Sequence, residues 1–316
     1  MKRRKRIILV GFLVISLSIL TACGQTSSDP STLSGPTFTE VNPNTNTPEP
    51  TVTYTPEPTA IPGVQVYPVS SLDDNIPWLP LDADNRPMSV YYGFNFDKPP
   101  FNHLLVRQAF AAAIDKEQIA QEAIHFKFRD VSPATSLTPS QTLGRDLYGE
   151  VGIPFDPEKA KDFLQQAGYD SIESFPPVTL IVYTRGEASS GAYFRMAETI
   201  VDMWENYLGI KVNLEVIGNM GVYIDRVENN PPDIYQLAWG ADYNDPDNYL
   251  NTLLHSKSDY NHGKFDNQEY DRLVEKASSL NNPQERQLLY IQAEQILTEQ
   301  EVGVIPLFHT LYYFNP

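Results

Sequence analysis

The sequence predicts an α/β fold: a mostly parallel sheet flanked by helices. Two observations carry this. Between residues 178 and 239, three strand patterns alternate with two helical ones, the order that consecutive strand–helix–strand crossovers produce. The only long low-complexity stretch lies ahead of this region, at 25–62, so the chain from about residue 64 onward is globular, roughly 250 residues, enough for one large or two small domains.

Each element has its own warrant. Residues 102–125 place Val106, Phe110, Ala113, Ile114 and Ile119 at helical spacing, predicting one helix. A second helix is bounded by Asp156 as cap, Pro157 at its first position and Gly168 at its end, with Ala160, Phe163, Leu164 and Ala167 as its apolar stripe. Residues 178–184 are rich in β-branched and aromatic side chains and read as a strand. Residues 192–208 form a helix with Phe194, Ala197, Val201, Trp204 and Leu208 on one face, stopped by Gly209. Residues 210–217 alternate strictly, Ile210, Val212, Leu214 and Val216 against Lys211, Asn213 and Glu215. A short helix near 223–227, a strand at 233–239, helices at 267–278 and 283–298, and a strand at 304–313 complete the reading.

The first 63 residues are of a different kind. Five basic residues at positions 2–6 precede a 14-residue apolar and small-residue run, Ile7 to Leu20. That run is shorter than the ~20 residues a bilayer core requires, and the arrangement is that of a secretory signal, residues 1–22. Leu20-Thr21-Ala22-Cys23-Gly24 follows and resembles the lipobox of bacterial lipoproteins, in which the cysteine thiol takes a diacylglyceryl group. The thiol chemistry requires sulfur as nucleophile. An uncleaved anchor helix is the competing interpretation. Cys23 is the only cysteine, so the remainder holds no disulfide, cysteine metal site or catalytic thiol. Residues 25–62 contain 8 Pro and 10 Thr but no Lys or Arg, and Thr47-Pro48-Glu49-Pro50-Thr51 recurs as Thr55-Pro56-Glu57-Pro58-Thr59. Proline blocks regular pairing and too few apolar residues remain for a core. Residues 23–63 therefore read as a lipid anchor and tether, which in polyproline form would reach on the order of 120 Å.

The chain has 23 Lys+Arg against 40 Asp+Glu, a net charge of −17. Without the five basic residues of the leader the balance becomes −22. Such a charge opposes nucleic acid and anionic lipid and tolerates a cationic ligand, while its plainer meaning is solubility. There is no Gly-x-Ser-x-Gly, Ser-x-x-Lys, His-Glu-x-x-His or Walker A pattern, so an enzyme is not expected. The five histidines, His103, His125, His255, His262 and His309, have no metal-ligand spacing, and no cofactor is expected.

Six segments taken together carry a family resemblance. They are Tyr92-Gly93-Phe94-Asn95 leading to Pro99-Pro100-Phe101; Val106-Arg107-Gln108-Ala109-Phe110 with Ala113-Ile114-Asp115-Lys116; Asp156 to Lys161 with Ala167-Gly168-Tyr169; Leu208 to Val212; Trp239 to Pro246; and Ala293 to Leu297 with Ile305-Pro306-Leu307. In this order they resemble the bacterial extracellular solute-binding proteins of family 5, the oligopeptide-, dipeptide- and nickel-binding lipoproteins of ABC importers. The resemblance runs from about Tyr91 to the end. It implies a periplasmic-binding-protein-like (class II) lobe over residues 64–316, mainly the second lobe, with the first largely missing. It further implies an exported chain at the outer face of a membrane or in the periplasm, an ABC permease as partner, and a peptide or other small cationic amine as ligand.

The resemblance also implies a site. In peptide-binding members the aspartate of the Ala-Asp-Tyr motif pairs with the ligand ammonium in an interlobe cleft; by position this is Asp242, with Trp239 and Tyr243 beside it. An ammonium leaving water needs such a counter-charge, and an indole adds a flat cation-attracting wall. The plainer alternative makes Asp242 and Asp245 turn residues. Asp242, Asp245 and Asp247 lack the glycine and distal glutamate of a calcium loop. Oligopeptide-binding members carry a basic residue three positions before the tryptophan, where this chain has Gln236. A different function class also fits: a non-transporting lipoprotein that uses the lobe as an interaction or sensory module.

Overall fold

A computed structural model describes residues 86–169, 174–184 and 191–312. The expected leader, Cys23 and tether lie outside the described residues.

The described chain begins with β1 (Arg86–Phe94), which enters a six-stranded sheet. Helix α1 (Leu104–Ala112) and helix α2 (Lys116–His125) follow as two helices where the periodicity predicted one. The break has a local cause. Asp115 adopts extended backbone and its side chain accepts the N–H of Gln118, capping a new helix. Lys116 is then drawn inside, its ammonium donating to the Ala111 and Ile153 carbonyls at 3.1 Å each, and burial lowers its pKa to about 8. Strand β2 (Arg129–Pro133) and the single turn α3 (Ser140–Leu143) carry no periodic signature and were not expected.

Helix α4 (Pro157–Gln166) starts where the sequence said: Asp156 accepts the N–H of Lys159 at 3.0 Å, and Gly168 takes a left-handed conformation at φ 90°. Strand β3 (Val178–Tyr183), helix α5 (Ala192–Leu208), strand β4 (Val212–Ile217), helix α6 (Met220–Asn229) and strand β5 (Ile234–Gly240) form the expected alternation. The chain continues through a 3₁₀ turn (Pro246–Asn248) and α7 (Leu250–Leu254). Helix α8 (Gln268–Ser279) and helix α9 (Pro283–Gln295) follow, the latter ending in a π-helical turn (Ile296–Gln300) before β6 (Val304–Tyr312).

The strand order is β2-β6-β1-β5-β3-β4. Strands β3, β4 and β5 are parallel, as the crossovers through α5 and α6 require. The other half is antiparallel: β1 runs against β5 and β6, and β2 against β6. The sheet is therefore mixed, a correction to the mostly parallel expectation. Crossover logic fixes direction only for strands joined through a helix; β1 meets β5 across some 145 residues, and no local pattern sets that pairing.

Helices cover both faces. Alternation along β1 sends Met88, Val90, Tyr92 and Phe94 into one core with α1, α2, α4 and α5. Trp204 anchors that layer: fully buried, it donates its indole N–H to the Phe110 carbonyl at 3.0 Å, pinning α5 on α1. Tyr91 faces the opposite core, built from α7, α8, α9 and the loop before α4. Tyr223 and Val227 of α6 pack on Ile181 and Tyr235 in a smaller cluster on the sheet. Gly93 lies opposite Tyr235 in the ladder, and a Cβ there would sit 2.3 Å from the tyrosine ring, so only glycine fits.

Arg107, within one of the resemblance motifs, has a structural role. Its guanidinium donates to the carbonyls of Glu301 (2.9 and 2.7 Å) and Phe101 (2.7 Å) and stacks on Phe96 at 4.1 Å.

Candidate functional site

Strand β5 is an interior strand, flanked by β1 along its length and by β3 at Ile234 and Tyr235. Its carboxyl end is where open α/β sheets gather ligands. Trp239 is the penultimate residue of the strand, opposite Ser89 of β1. Its ring lies edge-on to Tyr260, with centroids 5.2 Å apart.

The loop after β5 presents the other two expected residues. The Asp242 side chain is 67% exposed, and among the described residues its carboxylate meets one cation, Arg86 at the start of β1, at 3.9 Å. That is a loose, solvent-screened pair of the kind worth less than about 1 kcal/mol. Tyr243 is 44% exposed, its hydroxyl donating to Asp247 Oδ2 at 2.7 Å. Tyr260 is 50% exposed. An open carboxylate, one loosely held guanidinium and exposed aromatic faces thus adjoin the end of β5.

The neighbouring carboxylates are committed elsewhere. Asp245 is nearly buried and paired with Arg286 of α9 at 2.8 Å, and its Oδ1 also accepts the Asp247 N–H at 2.9 Å. Arg286 donates in addition to the Ala277 carbonyl and the Tyr290 hydroxyl. Asp247 accepts from Asn251 at 2.9 Å as well as from Tyr243. Both act as turn and clamp residues. Among the described residues no three His, Cys, Asp or Glu side chains are grouped to hold a metal ion.

Gln236 is buried and opposes Tyr92, on the face of β5 turned toward α1 and α5, whereas Trp239 belongs to the opposite core. Its carbonyl accepts the Tyr223 hydroxyl, and its side-chain Oε1 has no hydrogen-bond partner among the described residues. Three residues at the site had no signal in the sequence reading: Arg86, Tyr260 and Asn248. The first two reach Asp242 and Trp239 only through tertiary structure. Asn248, in a run of Asn, Asp and Pro, reads as one more turn residue.

The six-stranded mixed sheet between two helical layers, with its loop at the carboxyl end of β5, defines an α/β lobe of the periplasmic-binding-protein class. The chain belongs to the bacterial extracellular solute-binding proteins, family 5: the model of that family's middle portion matches residues 52–261. It is 32% identical over 225 residues to the probable deoxycholate-binding periplasmic protein YgiS of Escherichia coli, covering 70% of this chain and 40% of that one. It is 34% identical over 225 residues to heme-binding protein A of Haemophilus influenzae, covering 70% and 39%. Among solved structures, the murein tripeptide binding protein MppA of Escherichia coli superposes with a TM-score of 0.62 at 27% identity, over 72% of this chain and 44% of that one. The chain thus spans about 40% of the length of the relatives it matches.

Proposed function

We propose that this chain is the lipid-anchored substrate-binding component of an ABC importer for peptides, exported through its leader and held by diacylglyceryl-Cys23. In this reading Asp242 receives the ligand's ammonium, with Trp239 and Tyr243 as apolar walls of an interlobe cleft. The observation that carries it is the state of Asp242: a largely exposed carboxylate at the end of an interior strand, beside aromatic faces, whose ion-pair partner among the described residues is a guanidinium 3.9 Å away. A ligand ammonium at hydrogen-bonding distance would outcompete that pair. The relatives are named for murein tripeptide, deoxycholate and heme. For this chain the acidity favours the amine: a carboxylate at the site and a net charge of −17 work against a bile-acid or heme carboxylate.

The test is a calorimetric panel on the full chain with free tripeptides, deoxycholate and heme, together with radiolabelled palmitate incorporation by wild type and Cys23→Ala. Tripeptide binding and label lost with Cys23 are expected. Deoxycholate or heme binding with no response to tripeptides would replace the ligand class. Tight protein partners with no small-molecule binding would favour the interaction-module reading.

A further inference from the structure

The exposed loop after β5 should be a poor platform for binding, since ordering a loop on ligand capture costs affinity. Here one buried side chain prevents that. Asn248 is 1% exposed and sits at the end of the 3₁₀ turn, nine residues past Trp239 and six past Asp242. Its Oδ1 accepts two hydrogen bonds at once: from the indole Nε1–H of Trp239 at 2.9 Å and from the backbone N–H of Asp242 at 3.0 Å. One oxygen atom therefore fixes the rotation of the indole and the height of the Asp242 backbone together. The turn that carries Asn248 is itself clamped, because Asp245 caps it and is gripped by Arg286 from α9. Asp247, one residue before Asn248, holds the Tyr243 hydroxyl in the same way.

We infer that Asn248 is the positioning residue of this site: its side-chain oxygen sets the relative geometry of Trp239 and Asp242 before a ligand arrives. The inference rests on the proposed ammonium site, yet its geometric part stands apart from ligand identity. An asparagine suits the task because its planar amide offers two lone pairs on one oxygen and carries no charge beside Asp242. A leucine has the same size and no acceptor. An aspartate keeps the acceptor.

The experiment compares the full chain as wild type, Asn248→Leu and Asn248→Asp. The chain has three tryptophans, so ¹⁵N–¹H spectra hold three indole cross-peaks, and Trp239→Phe assigns the relevant one. Asn248→Leu should move the Trp239 indole and Asp242 amide protons upfield and weaken tripeptide binding about tenfold, the loss of two neutral hydrogen bonds. Asn248→Asp keeps the acceptor and should restore both shifts; its buried charge is not screened by salt, so affinity is compared between wild type and Asn248→Leu alone. Leucine and aspartate variants with the same indole and amide shifts, or an Asn248→Leu affinity equal to wild type, would overturn the inference. If wild type binds no tripeptide, the ammonium reading falls and the shifts alone judge Asn248: unchanged indole and amide protons in Asn248→Leu would refute it.

Discussion

Two buried ionisable groups tie the segment after β2 to the rest of the lobe, and they respond to pH in opposite directions. Glu294 of α9 is fully buried and accepts the backbone N–H groups of Leu137 (2.8 Å) and Thr138 (2.7 Å). Burial raises its pKa from 4.5 to about 7, the hydrogen bonds opposing only in part. His309 of β6 is buried against the Ser136 carbonyl at 3.0 Å, and burial lowers its pKa from 6.5 to about 4. For Glu294 the folded state binds more protons than the unfolded state between pH 4.5 and 7, so its contribution falls as pH rises through that window. For His309 the folded state binds fewer protons between pH 4 and 6.5, so its contribution rises with pH there. Integrated from pH 5 to 8, Glu294 loses roughly 2 to 3 kcal/mol and His309 gains a similar amount. The two nearly cancel in wild type. Glu294→Gln should therefore gain roughly 2 to 3 kcal/mol relative to wild type between pH 5 and 8, and His309→Asn should lose a similar amount over the same range. Urea unfolding of the three proteins at pH 5, 6, 7 and 8 measures this, with all other titrations shared and cancelling in the differences. Variant curves that run parallel to wild type would refute the argument, as would slopes of the same sign in both.

Other perturbations follow from close packing and pairing. Gly93→Ala drives a methyl group into the Tyr235 ring and should cost about 2 kcal/mol by overpacking, read as a lower urea midpoint; Tyr235→Ala in the same chain should make the alanine harmless. Arg286→Met leaves the Asp245 carboxylate nearly buried without its partner and should cost about 3 kcal/mol, most of it recovered when Asp245→Asn is added. A thermal-unfolding double-mutant cycle that shows no coupling between positions 245 and 286 would contradict the clamp.

Much of the lobe is legible from local signals because its causes are local. Asp156, Pro157 and Gly168 mark α4 at both ends, since capping needs only neighbours in sequence. Gly209 stops α5 at φ 74° for the same reason. Alternation in β4 survives because β4 is an edge strand, with Asn213 exposed. What escaped is non-local. Strand β1 is buried on both faces, so its run of Val90, Tyr91 and Tyr92 shows no period, and its antiparallel partners lie far along the chain. At the site, Trp239, Asp242 and Tyr243 could be named through a family resemblance, and the structure gathers them at one strand end. Their supports could not: Arg86 and Arg286 act through contacts that exist only once β1, β5 and α9 are packed, and Asn248, near in sequence, reads as one more turn residue.

The claim that Asp242 serves as counter-charge to a ligand's amine is tested most directly by titrating the full chain with one tripeptide in two forms, free and N-acetylated. Wild type and Asp242→Asn are compared side by side. A charge-assisted hydrogen bond of about 2 kcal/mol predicts that acetylation weakens binding to wild type roughly 30-fold and leaves binding to Asp242→Asn nearly unchanged. Equal loss on acetylation in both proteins, or equal affinity of wild type for both peptides, would contradict it.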